Sequence, residues 1–226
     1  MLVEVIVTNV EEAVLAEKYG ANRLELINAF ELGGLSPTLE LSQAVCAAVK
    51  IPVNVMLRPH GNGFIYNESD INQLIAELYY LKNKTKTNAI VFGALTTDGD
   101  IDIGLLQDVI SHKGHLKLVF NRAIDATANI LKSFERLLNY EEIDTILTSG
   151  GMVTAIEGIN VIHHMVKLAR TFNFCKIMAG SGITPQNAKE IITATGVKQI
   201  HLGSGLRTHG ILDKNKFDQL LSSIKT

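Results

Sequence analysis

The chain has 226 residues, with 21 Lys and Arg against 23 Asp and Glu, two cysteines, no tryptophan and 46% hydrophobic residues. A formal charge of −2 removes the basic surplus that general nucleic-acid binding or docking on an acidic membrane requires. Two cysteines without CxxC spacing exclude a disulfide framework. No apolar run approaches the roughly 20 residues of a membrane span, and the first one lacks the basic flank of a signal peptide. The composition reads as a cytoplasmic globular chain, long enough to bury a large core without disulfides or metal.

Short β-branched runs alternate with longer helical patterns along the whole length. Strands are predicted at Leu2–Val7, Arg23–Leu26, Val53–Leu57, Ala89–Phe92, Leu116–Phe120, Thr145–Thr148, Lys176–Ala179 and Gln199–Leu202. Their starts lie roughly 20 to 35 residues apart, the spacing of βα units. Between them, Ile71, Leu74, Ile75 and Leu78 repeat with helical period, as do Phe217, Leu220, Leu221 and Ile224. Thr8 with Glu11 has capping-box spacing, and Thr184–Pro185 places a hydroxyl at the helix cap and proline in the first turn. Gly20 and Gly196 suit the left-handed position that ends a helix. No linker divides residues 1–226. One domain of eight such units closes most economically into a single (β/α)8 TIM barrel, with an open doubly wound sheet as the alternative. The first βα turn, Thr8-Asn9-Val10-Glu11, lacks the GxGxxG of a dinucleotide-binding sheet.

In a barrel of this kind function sits at the carboxyl ends of the strands. Polar residues gather there: Glu25 and Asn28, Arg58, Thr96 and Asp98, Asn121, Arg122 and Asp125, then Thr148 and Ser149. In the third strand Val53, Val55 and Leu57 share one face, so Asn54, Met56 and Arg58 are expected to point inward. Glu25, Arg58, Arg122 and Asp125 are the candidate catalytic residues: the arginines hold an anion, and Glu25 or Asp125 shuttles protons. The alternative for Glu25 is a buried ion pair, and for Glu4 the neutralisation of Arg58 or Arg122. The element Gly180-Ser181-Gly182 recurs as Gly203-Ser204-Gly205 at the next strand end. Glycine lets backbone approach an anion closely, so these six residues are the candidate cradle for phosphate, helped by Arg207 and a helix starting near Thr184. Tight βα turns alone are the alternative. His60, His201 and His209 could gather at the top, yet no HxH or HExxH spacing is present and no metal site is expected. Neither a Schiff-base lysine nor a GxSxG elbow is found.

Several of these segments carry a further likeness: Gly20-Ala-Asn-Arg-Leu-Glu-Leu26 with Gly33-Gly-Leu-Ser-Pro-Thr38, Leu57-Arg-Pro-His-Gly61 with Phe64 and Tyr66, Phe120-Asn-Arg-Ala-Ile-Asp125, Leu147-Thr-Ser-Gly150 and Ile177-Met-Ala-Gly-Ser-Gly182. Together they resemble the signature of the CutC family, the copper homeostasis proteins, over nearly the whole chain. The resemblance implies a TIM barrel, a cytoplasmic homo-oligomer and a role in copper handling, with copper as the ligand. It also implies cysteines in the first strand and after the strand-two glutamate, places that here read Ile6, Val7 and Ile27, and a histidine where Asn121 stands. Cu(I) favours thiolate ligands, and the remaining cysteines, Cys46 in the second helix and Cys175 entering the seventh strand, have the settings of core residues. Three functions stay open: an enzyme acting on a small anionic or phosphorylated metabolite, a Cu(I)-binding protein, and a non-catalytic sensor or scaffold.

Overall fold

A computed structural model describes residues 1–225. Eight βα units follow one another: β1 Leu2–Val7 and α1 Val10–Tyr19, β2 Arg23–Leu26 and α2 Leu39–Ala48, β3 Val53–Met56 and α3 Glu68–Lys84, β4 Ala89–Phe92 and α4 Ile103–Lys113. The second half repeats the pattern with β5 Lys117–Phe120 and α5 Ile130–Leu137, β6 Ile143–Thr148 and α6 Ile159–Ala169, β7 Lys176–Gly180 and α7 Ala188–Thr195, β8 Gln199–Leu202 and α8 Lys214–Ser223. Each strand pairs in parallel with the next, and β8 pairs back on β1. That last pairing makes a closed barrel and rules out the open sheet. A small antiparallel hairpin, β9 Arg207–Thr208 with β10 Ile211–Leu212, sits between β8 and α8.

Strand alternation sorts the core into two compartments. Val3, Val5 and Val7 of β1, Leu24 and Leu26 of β2, and Val53, Val55 and Leu57 at β3 face the helices and join their buried stripes. In α3 that stripe is Leu74, Leu78 and Leu81. The barrel interior holds a separate cluster of Ile27, Met56, Ala89, Val91, Val119, Leu147 and Met178. Inward orientation of Asn54 and Met56 follows from the same alternation.

Three local expectations are corrected. Strand β3 ends at Met56, although Leu57 still donates its N–H to Val91 at 2.9 Å. At α1 the cap is Asn9, which accepts from the Glu12 amide at 2.8 Å, while the Glu12 carboxylate reaches back to the Thr8 amide at 2.9 Å. The reciprocal pair is therefore shifted by one residue from Thr8 and Glu11, because the extended residue that caps α1 is Asn9. Helix α7 starts at Ala188, not near Thr184: the Asn187 side chain accepts from the Thr184 amide at 2.8 Å and turns residues 184–187 into a separate loop. Gly20 and Gly196 do end α1 and α7, with φ of 103° and 75°.

Leu74 is wholly buried between α3 and the sheet. Leu74→Ala is expected to lower unfolding free energy by about 2–5 kcal/mol, through lost burial and the cavity left behind. Urea denaturation followed by circular dichroism measures it.

Candidate functional site

Register brings three ionisable side chains together inside the barrel. Glu4 lies beside Arg23 on one flank and His201 on the other, and Glu25 stands one residue pair higher, beside Ile6 and Asn54. The Glu4 carboxylate is fully buried, pairs with the Arg23 Nε and accepts from Asn54 Nδ2 at 2.8 Å. Its other oxygen lies 2.8 Å from His201 Nδ1. His201 Nε2 in turn lies 3.5 Å from Glu25 Oε2. Arg23 is held from beyond by Gln199 Oε1 at 2.7 Å. Glu4 is thus neutralised by Arg23, and not by Arg58 or Arg122, the alternative the sequence left open.

These contacts set the protonation of the trio. Burial pushes the Glu4 carboxyl up, but the His201 hydrogen bond and the Arg23 guanidinium outweigh it, and the group is held below its ordinary value. For His201, burial favours the neutral ring, yet Glu25 and then Glu4 raise its pKa. Glu25 has no arginine in hydrogen-bond contact; burial dominates and lifts its carboxyl to about 7, with Glu4 adding to the rise and His201 and Arg23 opposing it.

Above this trio a cavity of about 650 Å³ opens at the carboxyl ends of the strands. Glu25, Arg58, Arg122 and Asp125 all line it, as do Ser181, Gly182, Gly203, Ser204 and Gly205; Gly180 lies just below, paired with His201 in the β7–β8 register. The side chains differ in what they have left to offer. Arg58 donates through Nη1 to the carbonyls of Leu32 and Gly34 at 2.9 and 3.1 Å, and lies over the Phe64 ring, while its Nε is buried without a partner. Asp125 is committed: its oxygens accept from Thr148, from the Ser149 and Gly151 amides and from Arg122 Nε at 2.9 Å. It organises the loops after β5 and β6, and both oxygens that a proton shuttle would use are already hydrogen-bonded. Arg122 also donates to Ser149 Oγ at 2.9 Å, and its side chain is 39% exposed toward the cavity mouth. The Glu25 Oε1 is buried and unpaired.

The glycine turns are close approaches as well as a lining. A Cβ on Gly205 would lie 2.0 Å from the Ile183 carbonyl, so the loops after β7 and β8 touch backbone to backbone. Ser181 holds a left-handed φ of 76°, fixed by its hydroxyl donating to the Val153 carbonyl at 2.7 Å; such a conformation costs a non-glycine residue about 1–2 kcal/mol. Among the described residues the amides of Ser181, Gly182, Gly203, Ser204 and Gly205 find no acceptor. Arg207 does not assist them. It is buried and donates to the carbonyls of Gly203 and Ile6 and to the Glu12 carboxylate at 2.9 Å, binding the β8 loop to α1.

From the sequence, Glu4 is a possible ion-pair partner and His201 one of three histidines near the top, and neither is named among the site residues. The alternation that oriented β3 also applies to β8, where Gln199, His201 and Gly203 share the inward face. The three histidines do not gather: His60 pairs with Asp70 at 3.3 Å, and His209 sits exposed in the turn of the β9–β10 hairpin. Among the described residues, Glu4, Glu25 and His201 are the one group of three or more His, Cys, Asp or Glu with ligand atoms within 4.8 Å of one another.

Fold and site define a one-domain (β/α)8 barrel with a buried acid–histidine–acid trio beneath a mixed polar and apolar cavity. Residues 1–206 match the CutC family model, and the chain belongs to the CutC family. A relative from Aliivibrio fischeri, family protein CutC, is 37% identical over 225 residues, covering 99% of this chain and 87% of its own length. The human copper homeostasis protein cutC homolog is 36% identical over 200 residues, 88% of this chain and 72% of that protein. The solved CutC structure from Streptococcus agalactiae superposes with a TM-score of 0.82 at 28% identity, covering 90% of this chain and 98% of that one.

Copper is the metal those names raise, and the donor set here does not suit it. Cu(I) wants converging thiolates or thioethers. Cys46 lies in α2 beside Thr87 at 3.8 Å, and Cys175 lies at the amino end of β7 with its thiol pushed up to about 12 by burial. Both thiols stay protonated near neutral pH, on elements that are not neighbours. Of the interior thioethers, Met178 faces Arg23 Nη2 at 3.2 Å and Met56 faces Asn121. The trio offers two carboxylates and one imidazole, without a sulfur ligand and with a guanidinium already on Glu4. Cu(I) retention against a tight chelator is therefore expected to be the same in the Cys46→Ser, Cys175→Ser double variant as in the parent chain.

Proton linkage supplies a second expectation. Between its ordinary 4.5 and its folded value of about 7, Glu25 binds more proton in the folded than in the unfolded chain. Stability therefore falls as pH rises through that window. His201 acts in the same direction, its contribution complete below 6.5 and lost as pH passes its raised value. Glu25→Gln is expected to flatten the decline in urea stability between pH ~5 and ~7; an unchanged slope would show that the carboxyl is not raised.

Proposed function

We propose that this chain is an enzyme that moves a proton on a small anionic, phosphorylated metabolite bound in the barrel mouth. The observation that carries the reading is Glu25, whose buried, unpartnered Oε1 belongs to a cavity-lining carboxyl raised to about 7. A buried polar atom without a partner costs about 1–3 kcal/mol. Retained at a barrel mouth, such an atom is an acceptor kept for what enters. A carboxyl near neutrality serves as base in one half of a reaction and as acid in the other. His201, fixed through Nδ1 on Glu4, keeps Nε2 next to Glu25 and tunes how readily the proton leaves.

The second unpartnered atom on this lining is Arg58 Nε. Its N–H is a fixed donor for a substrate oxygen that gains charge as Glu25 takes a proton from the neighbouring carbon. Arg122 and the free amides of the two Gly-Ser-Gly turns supply the attraction for the anionic end. No step here calls on copper. The copper vocabulary of the relatives stays with those proteins.

Two measurements test the reading. A panel of phosphorylated metabolites incubated in D₂O is expected to yield at least one member that takes up deuterium at carbon, with the rate falling about 10²-fold or more in Glu25→Gln; exchange that persists undiminished in the variant removes Glu25 from the chemistry. Calorimetric titration with inorganic phosphate is expected to show binding that weakens at least about tenfold in Ser204→Asp, where a new carboxylate repels the anion. Equal binding by both forms would move the anion elsewhere.

A further inference from the structure

The polar groups of the cavity that remain free are few. At the floor is Glu25 Oε1; Arg58 Nε stands higher on the β3 side, its guanidinium tied to the Leu32 carbonyl; on the side of the β5, β7 and β8 loops are Arg122 and the unpaired amides. Of the other polar side chains on the lining, the Ser204 hydroxyl stands free beside those amides, while those nearer the walls are engaged. Asn121 accepts from the Ala123 amide at 2.9 Å, Asp125 is saturated, and the Ser181 hydroxyl is used on Val153. What lies between the free groups is hydrocarbon: Ile27, Met56 and Leu147 rise from the interior cluster, and Phe30 and Phe64 form side walls.

Both phenyl rings are held in place by a guanidinium. Arg58 lies 4.6 Å over Phe64, and Arg207 lies 5.0 Å over Phe30. Each arginine is itself tied to backbone carbonyls, so the rings are rigid surfaces. Ala29, just ahead of Phe30, adopts a left-handed φ of 48°, which turns the chain into the short helical turn that carries the ring. At the rim, Leu32 and Val153 are 51% and 79% exposed, large apolar side chains left in water on two loops that line the same opening. Exposed apolar side chains on the rim of a pocket are surface that a ligand entering it can cover.

A phosphate alone leaves most of a 650 Å³ space unfilled. A sugar phosphate would bring several hydroxyls against walls that have no partner for them, and buried hydroxyls without partners oppose binding. We propose that the substrate is an apolar-bodied monophosphate, with an aromatic ring or branched hydrocarbon between the phosphate and the reacting carbon. The ring lies against Phe30 and Phe64, and its outer edge is covered by Leu32 and Val153. The inference rests on the anion site of the proposed function and adds the chemical class of its substrate.

Titration calorimetry with three probes tests it: inorganic phosphate, phenyl phosphate and ribose 5-phosphate. Phenyl phosphate is expected to bind at least about tenfold tighter than inorganic phosphate, since burial of a phenyl group supplies that much. Ribose 5-phosphate is expected to gain less than about threefold. In the Leu32→Ser, Val153→Ser double variant, both exposed positions, the ratio of phenyl phosphate to phosphate affinity is expected to fall toward one. Ribose 5-phosphate gaining as much as phenyl phosphate, or a ratio unmoved in the double variant, overturns the inference while leaving the anion site standing. Binding of none of the three probes overturns both.

Discussion

A carboxylate enclosed in the middle of a β-barrel is the constraint around which this molecule is arranged. Glu4 has no exposure to water, and an ionised carboxyl in such a place is tolerable only if it is paired and hydrogen-bonded on every side. Arg23, Asn54 and His201 meet that demand from three different strands. Meeting it fixes much else. The hydrogen bond to Glu4 orients the imidazole, which places Nε2 toward Glu25. Arg23 is drawn down to Glu4 and away from Glu25, and Glu25 is left with burial as its dominant influence. Two glutamates a single layer apart thus acquire opposite characters, one held ionised and one poised near neutrality.

A second arrangement holds the mouth. Asp125 gathers an arginine, a serine, a threonine and two loop amides, and Arg207 gathers two carbonyls and a carboxylate. Neither has capacity left for chemistry. Their saturation lets strained or unpaired backbone nearby, such as left-handed Ser181 and the free amides of the glycine turns, stay in place. Rigid loops with unsatisfied edges are what a preorganised binding surface consists of.

Most of the architecture could be read from the residues because it depends on local pattern. Strand spacing and the alternation through β3 gave the barrel and the inward set Asn54, Met56 and Arg58. The glycine doublets marked the loops after β7 and β8. What escaped the sequence was pairing at long separation. Glu4 and His201 are 197 residues apart, and Arg207 meets Glu12 across 195; no periodicity links such partners, and only the register of a closed barrel does. The same gap explains why Asp125 and Arg207 read as ligand contacts. A charged residue at a strand end looks the same in sequence whether its partners are loop amides or a substrate. The start at Thr8 was misplaced because the neighbouring Asn9 caps as well as a hydroxyl does, and the start at Thr184 because the Asn187 side chain accepts from the Thr184 amide ahead of the helix.

The Glu4–His201 contact joins the first strand of the barrel to the last. As the chain leaves the ribosome, Glu4 and Arg23 are available early, in two adjacent strands, but the histidine that completes the coordination of the carboxylate arrives only with the eighth. Until then the growing sheet has an open edge on each side, and Glu4 lacks its His201 partner. Arrival of β8 removes both open edges and the last water-facing side of Glu4 in one step, so seam closure, charge burial and assembly of the acid–histidine–acid trio are a single event. The protein gains its site only when its ring is complete, and a chain stalled short of β8 has neither.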